Sequence, residues 1–265
     1  MATVDVYVRD TIWTYMVPIG LLSFFLLLFM TDSLKVIRQW YCSKYLTSFS
    51  ELHDEMIEPI KKALFSDLNN IDSSLTDLRN KGLIRILEIG VGSGSNLKYY
   101  PQQCRLVIVD PNPHFKQYFT ENVNKFPDIN LERYIVSPGE RLRGIASSTV
   151  DVVVTTTVLC CVENVPKVLK EIRRVLVPGG HYYFLEHVVA AHNTKRWKLQ
   201  QLANWTGLWK WFHDGCVFRR IDEDIARAGF SDLDISTFTL DDDAQSSKSK
   251  LIQMISPHIV GVAIK

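Results

Sequence analysis

The stretch LEIGVGSG (87–94) constrains this chain more than any other. It follows the apolar run LIRILEI (83–89) and precedes a short helix expected to begin near Asn96. A chain that leaves a strand and turns at once into a helix needs glycine where φ is positive and where backbone must touch a ligand. A dinucleotide-binding turn would read G-x-G-x-x-G, with its third glycine at position 95. Here that position is Ser95, and the third glycine is Gly94. A glycine-rich turn alone is a weak signal. Its support is Asp110, 20 residues beyond Gly90 at the end of the next strand-like run. A carboxylate there is placed to accept both hydroxyls of a ribose.

Around this turn the pattern alternates. Strand-like runs fall at 83–89, 105–109, 131–136, 150–154 and 182–185, with helix-like stretches at 113–126, in part of 139–145 and at 165–176. Alternation of this kind predicts a parallel sheet with helices on both faces. Two more strands, at 233–240 and 258–264, flank a polar stretch without helical pattern, so the last pair is expected to be an antiparallel hairpin. Residues 34–80 read as helical and amphipathic, interrupted at Pro59, with Gly82 as a stop. Three regions follow: an N-terminal segment (1–33), an amphipathic helical linker (34–81) and an α/β domain (82–265).

The N-terminal segment has its own logic. From Thr11 to Thr31 run 21 residues without a charge. As a helix they would extend roughly 31 Å, about the hydrocarbon thickness of a bilayer. A cleaved signal peptide would want a basic start, yet Asp5 and Asp10 outweigh Arg9. The expectation is a membrane anchor, with Pro18 leaving a kinked or monotopic insertion open. Lys35, Arg38 and Lys44 follow the run, against Arg9 alone before it, which places the bulk of the chain in the cytosol.

Composition excludes several other classes. A formal charge of +1 argues against a nucleic-acid binder. With 46% hydrophobic residues, disorder is excluded. The five cysteines form no CxxC, and no HExxH occurs, so no metal site and no disulfide framework is signalled. Asp241, Asp242 and Asp243 read as a solvated acidic loop rather than as metal ligands.

Taken together, the turn, Asp110, Gly139-Glu140 in SPGERL, the run 150–155 and RVLVPGG (174–180) resemble the class I S-adenosylmethionine (SAM) methyltransferases. That resemblance implies a seven-stranded Rossmann-like α/β sheet with helices on both faces and a reversed last strand, here behind an N-terminal hydrophobic membrane helix. It makes 82–265 the methyltransferase domain and SAM the cofactor. A closer likeness lies in VDPNPHF (109–115), TVLCCV, Glu186-His187-Val188, Asp214-Gly215-Cys216 and SPHIVGVAIK. These resemble the membrane-anchored alkyl-thiol S-methyltransferases of the endoplasmic reticulum and lipid droplets. The chain departs from them in having GVGSGSN where relatives have a GCGTGAN type of turn, and in a longer, more polar 241–253.

The resemblance implies cofactor contacts from Glu88, Gly90, Gly92, Gly94, Asp110, Pro111, Gly139, Glu140 and Thr157. Glu88 either orients the donor's amino group or caps the backbone that follows. The implied acceptor is a small lipophilic thiol, reached at the membrane through residues 11–31. A thiol with a pKa of about 8.5 needs little acid–base machinery. If a base is used, His187 after the fifth strand is the first candidate, ahead of His213 beside Asp214 and of His258; each is otherwise structural. Cys160 and Cys161 are expected to line the pocket without catalysis. KRWKLQQLANWTGLWKWF (195–212), with four tryptophans and four basic residues, is either a lid touching the membrane interface or ordinary core aromatics. Two readings compete: O- or C-methylation of a membrane lipid or quinone on the same fold, and a non-catalytic protein that retains the SAM fold.

Overall fold

A computed structural model describes residues 11–30, 35–102, 104–240 and 252–265. The acidic residues before the uncharged run, and the acidic loop at 241–243, lie outside the described residues. The chain divides into two units, Met1–Tyr41 and Cys42–Lys265.

In the first unit a π-helical turn, Ile12–Met16, leads into helix α1, Val17–Met30. Pro18 has no N–H to offer the preceding turn, and a helix meets that loss by winding wider, with Val17 N–H bonded to the Ile12 carbonyl. The 21-residue spanning helix expected from the uncharged run is therefore not found as one α-helix. Among the described residues no helix is long and apolar enough to cross a membrane. Trp13, Tyr15, Met16, Ile19, Leu22, Phe24 and Phe25 are all exposed.

Helix α2, Lys35–Leu64, carries Pro59 inside it without interruption, which corrects the break expected there. Its second-unit residues contribute Ile57 and Leu64 to a core cluster with Phe65 and Leu68, so this stretch packs on the sheet. The short helix α3, Thr76–Arg79, is followed by Gly82, whose φ of 64° turns the chain away where the sequence places a stop.

The sheet holds seven strands: β1 Arg85–Ile89, β2 Arg105–Asp110, β3 Asn130–Val136, β4 Val150–Thr156, β5 Leu176–His187, β6 Asp232–Phe238 and β7 His258–Ile264. Their order is β3-β2-β1-β4-β5-β7-β6, parallel except for β7, which runs antiparallel to both neighbours. The last pair is the expected antiparallel one, and β7 inserts between β5 and β6. Side chains alternate between two cores. Leu87, Ile89, Val107, Val109 and Val153 face one; Ile86, Leu106, Ile108, Val152 and Val154 face the other.

The remaining helices are α4 Phe115–Val123, α5 Val165–Val175, α6 Lys195–Thr206, α7 Leu208–Phe212 and α8 Ile221–Arg227. Helix α5 shows why sequence dictates form. The Asn164 side chain accepts from Lys167 N at 2.9 Å, Pro166 lies in the first turn and Arg173 and Arg174 in the last. Val165, Val168, Leu169, Ile172 and Val175 make one buried stripe. Residues 139–145 do not form the expected helix. Pro138 and a left-handed Gly144 (φ 81°) keep them in turns. The helix expected near Asn96 is one 3-10 turn, Leu97–Tyr99.

Candidate active site

Every parallel strand delivers its carboxyl end to one edge, where ligands bind in open α/β sheets. At the end of β1 the backbone reverses at Gly90, φ 70°, whose N–H donates to the Val109 carbonyl at 2.7 Å. A Cβ on Gly90 would stand 2.5 Å from a Val158 methyl, so the close approach of the two loops requires glycine. Gly92, φ 53°, is the reverse case: nothing lies within 4 Å of where its Cβ would be. That open cradle is what a turn receiving a ligand on its backbone must present. Gly94 packs instead on Leu97 and Phe119. Asn122 of α4 donates to the Ser93 and Gly94 carbonyls at 3.2 and 3.1 Å, fixing the turn from behind.

Asp110 closes β2 as expected and is 3% exposed. Its Oδ2 accepts from Gly92 N at 3.2 Å and its Oδ1 from Asn112 N at 2.8 Å. Burial pushes its carboxyl up to about 7, against the two N–H donors that hold it down. The carboxylate is thereby aimed beside the Gly92 cradle, and the pair fits a ribose lying across the turn. Pro111, which follows, is exposed.

Glu88 has a different task from the one first in line for it. Its Oε1 accepts from Asn96 Nδ2 at 2.8 Å and its Oε2 from the Tyr100 hydroxyl at 2.7 Å. Both oxygens are engaged by side chains, so Glu88 shapes the turn. Burial raises it to about 7. Lys61 of α2, fully buried, donates to Ser95 Oγ at 3.0 Å and pairs with Asp54. Nothing in the local sequence marks Lys61, Asn96 or Tyr100, because each meets the turn through tertiary packing.

Gly139 lies against Ile89 and Val168, beside the end of β1. Glu140 does not join it. Its Oε1 accepts from Glu163 N at 2.7 Å and Asn164 N at 3.1 Å, which braces the start of α5. Thr157, at the end of β4, holds φ 56°, a costly conformation for a β-branched residue. Its N–H donates to the Leu185 carbonyl at 2.8 Å, which secures that strain.

The second half of the edge is built around Glu186. Its Oε2 accepts from the backbone of Val158 and Leu159 at 2.9 and 3.1 Å, fixing the loop that carries Cys160 and Cys161. Burial raises Glu186 to about 7. His187 is the last residue of β5, and its Nε2 lies 3.2 Å from Cys216 Sγ. Burial works against its imidazolium, and Cys216 and Glu186 outweigh that, raising its pKa. The Trp209 indole donates to the same sulfur at 3.2 Å. His213 stacks on Trp209 at 3.7 Å between ring centres, with Tyr45 and Phe49 of α2 edge-on to it. His53 and His258 meet through their Nε2 atoms at 3.2 Å; burial lowers His53 to about 4 and His258 still further. Helices α2 and α7 thus roof the edge with rings.

An open glycine cradle, a strand-end carboxylate and a reversed β7 define a class I methyltransferase, with SAM as methyl donor. A family model described as a methyltransferase domain matches residues 87–184. Human thiol S-methyltransferase TMT1A is 34% identical over 232 residues, covering 85% of this chain and 88% of that protein. Human thiol S-methyltransferase TMT1B is 36% identical over 210 residues, covering 79% and 80%. The chain belongs to the thiol S-methyltransferase family. Among solved structures, a Haemonchus contortus phosphoethanolamine N-methyltransferase bound to SAM superposes with a TM-score of 0.55 at 17% identity, over 78% of this chain and 52% of that one. A possible histamine N-methyltransferase from Thermotoga maritima gives 0.51 at 16%, over 86% and 99%. Both share the fold.

Proposed function

We propose that this enzyme transfers the methyl group of SAM to the sulfur of small lipophilic alkyl thiols at a membrane surface. The observation that carries the reading is the aromatic, imidazole and thiol roof over the edge beside the Gly92 cradle. It presents polarisable, weakly hydrated groups where the acceptor must arrive. A phosphorylated or strongly polar acceptor would want cations there, whereas the groups gathered at this place are Trp209, His187, His213, Cys160 and Cys216.

The donor supplies a sulfonium whose methyl is open to in-line displacement. Gly90, Gly92 and Gly94 give it a backbone seat, and Asp110 takes the ribose hydroxyls. Gly139 and Pro111 flank the adenine side, and Thr157 faces the methyl. As the acceptor sulfur forms its bond to carbon, the bond to the sulfonium breaks and its pair stays on that sulfur, leaving S-adenosylhomocysteine. The acceptor's proton leaves to solvent. Orientation of the two sulfurs on either side of the methyl, and exclusion of water, are the protein's contributions.

Two regions support the membrane setting. Residues 11–31 are uncharged, and Trp13, Tyr15, Met16, Ile19, Leu22, Phe24 and Phe25 among them are exposed. On α6 and α7, Leu199, Leu202, Trp205, Leu208 and Phe212 form an exposed row, Trp205 being 84% exposed, beside Lys195, Arg196, Lys198 and Lys210. Apolar residues beside basic ones suit an anionic interface. We assign the protein to the endoplasmic reticulum membrane and lipid droplets, with the domain facing the cytosol. Asn204, in an N-glycosylation acceptor sequence, exchanges two hydrogen bonds with the Phe218 backbone at 2.9 and 3.0 Å. Its amide is committed to the fold, so protease protection in microsomes is the better test of orientation.

The defining experiment offers labelled SAM with a lipophilic alkyl thiol and with the matching alcohol. Methyl on the thiol alone is the expected outcome. Methyl on the alcohol, or on neither while SAM binds, would overturn the assignment.

A further inference from the structure

The roof contains a constellation to which the proposed methyl transfer gives no bond-making role. Cys160, from the loop after β4, His187, from the end of β5, and Cys216, from the loop after α7, bring two sulfurs and an imidazole nitrogen within 4.8 Å of one another. All three residues are buried. The ligands are 27 and 29 residues apart, so no short spacing announces them. From this geometry we propose that Cys160, His187 and Cys216 bind one soft divalent ion of the zinc type.

Three features argue for a built site. A tetrahedral ion with bonds of about 2.3 Å to sulfur and 2.0 Å to nitrogen spaces its ligand atoms roughly 3.5 Å apart. The His187 Nε2 to Cys216 Sγ distance, 3.2 Å, is close to that already. The two cysteine loops are joined by their backbones, Val217 N donating to the Cys160 carbonyl at 3.0 Å, so the sulfurs are held by a hydrogen-bonded frame. The Trp209 N–H aimed at Cys216 Sγ is the kind of outer donor that stabilises a metal-bound thiolate.

The donor set names the ion class. Two thiolates and an imidazole select zinc over magnesium or calcium, which require oxygen ligands. Three protein ligands leave a fourth position, the arrangement of an open rather than a closed zinc site. Cys161 is a neighbour, its Sγ 3.5 Å from that of Cys160 and 3.7 Å from the His213 carbonyl.

Cobalt(II) added to the full chain, purified reduced and metal-free, tests this without any turnover. One equivalent should produce the thiolate-to-cobalt charge-transfer band and the intense visible bands of a tetrahedral centre, both bleached by one equivalent of zinc. Cys160→Ser and Cys216→Ser should weaken cobalt binding at least tenfold, and Cys104→Ser, altering a buried thiol outside the cluster, should not. A wild type without the charge-transfer band, or a band that survives Cys216→Ser, overturns the site and leaves a metal-free thiol–imidazole cluster. Should the serine variants fail to fold, mass-mapped alkylation of wild type decides. Zinc must slow the reaction of Cys160 and Cys216 and leave Cys104 unchanged; equal rates reject the proposal.

Discussion

The two halves of the carboxyl edge are built on opposite principles. On the β1–β2 side the carboxylates of Glu88 and Asp110 have both oxygens hydrogen-bonded. On the β5–β7 side His187, His213 and His258 each keep a buried ring nitrogen without a partner among the described residues. The carboxylates of the first half are oriented before a ligand arrives, as preorganised recognition of one invariant cofactor requires, although Asn96 Oδ1 beside them is buried without a partner among the described residues. The second is assembled from soft sulfur and rings that tolerate incomplete pairing, which suits a varied apolar acceptor. A fold that keeps the donor constant and lets acceptors differ would divide its polar groups in this way.

The largest effect that can break this contrast lies at Lys61. Its ammonium is buried against Asp54 and Ser95, and removing one member of such a pair leaves the other uncompensated. Lys61→Ala should cost roughly 3–5 kcal/mol of stability, read by urea unfolding. Loss of less than about 1 kcal/mol would mean that the finished half does not depend on α2.

Next comes Asp110. Two ribose hydroxyls donating to a buried carboxylate are worth roughly 1.5 kcal/mol each, so Asp110→Ala should weaken SAM binding by about 100-fold in calorimetry and abolish transfer. Cys104→Ser should leave both unchanged. If Asp110→Ala binds SAM normally, the cradle has been assigned to the wrong ligand.

The legibility of the molecule follows the same division. Strands and the donor turn were readable because their signals are local: apolar runs, glycines at fixed offsets, and one carboxylate at a strand end. Asp110 and the glycines stand where the sequence placed them. Glu140 and His187 stand in place too, but their roles were set by groups far along the chain, Glu163 and Asn164 for one and Cys216 for the other. The helix expected at 139–145 failed because apolar spacing cannot outweigh Pro138 and a left-handed Gly144. Helix α8 went unread, its seven residues being too few for a periodic signal.

A third test uses protons. In the donor-free fold Asp110 and Glu88 titrate near 7, against about 3.9 and 4.3 in an unfolded chain. The folded state therefore holds more protons between those limits, and the stability these groups leave intact in acid is lost as pH rises through about 7. Donor-free protein should melt lower at pH 8 than at pH 6. Ribose hydroxyls favour ionised Asp110, so SAM affinity should rise with pH by up to about tenfold per unit below 7. Asp110→Asn should flatten that slope. A slope retained in the variant would move the titrating group elsewhere on the edge.

The smallest effect probes the acceptor half from outside. Leu202 and Trp205 are exposed on α6, three residues apart and so on one face. Neither is hydrogen-bonded to the donor turn. Burying such side chains in a lipid interface stabilises by about 1–2 kcal/mol each at most, since they enter only partway. Replacing both with Gln should weaken adsorption to anionic vesicles by roughly three- to tenfold. Far-UV dichroism and SAM affinity should not change. Transfer to a long-chain thiol delivered in vesicles should fall with adsorption, while transfer to a short, water-soluble thiol should hold. If both thiols lose rate equally, the row belongs to the roof's packing and the acceptor half works without a membrane. If only the vesicle-borne thiol suffers, the unfinished half of the edge is completed by the bilayer that delivers its substrate.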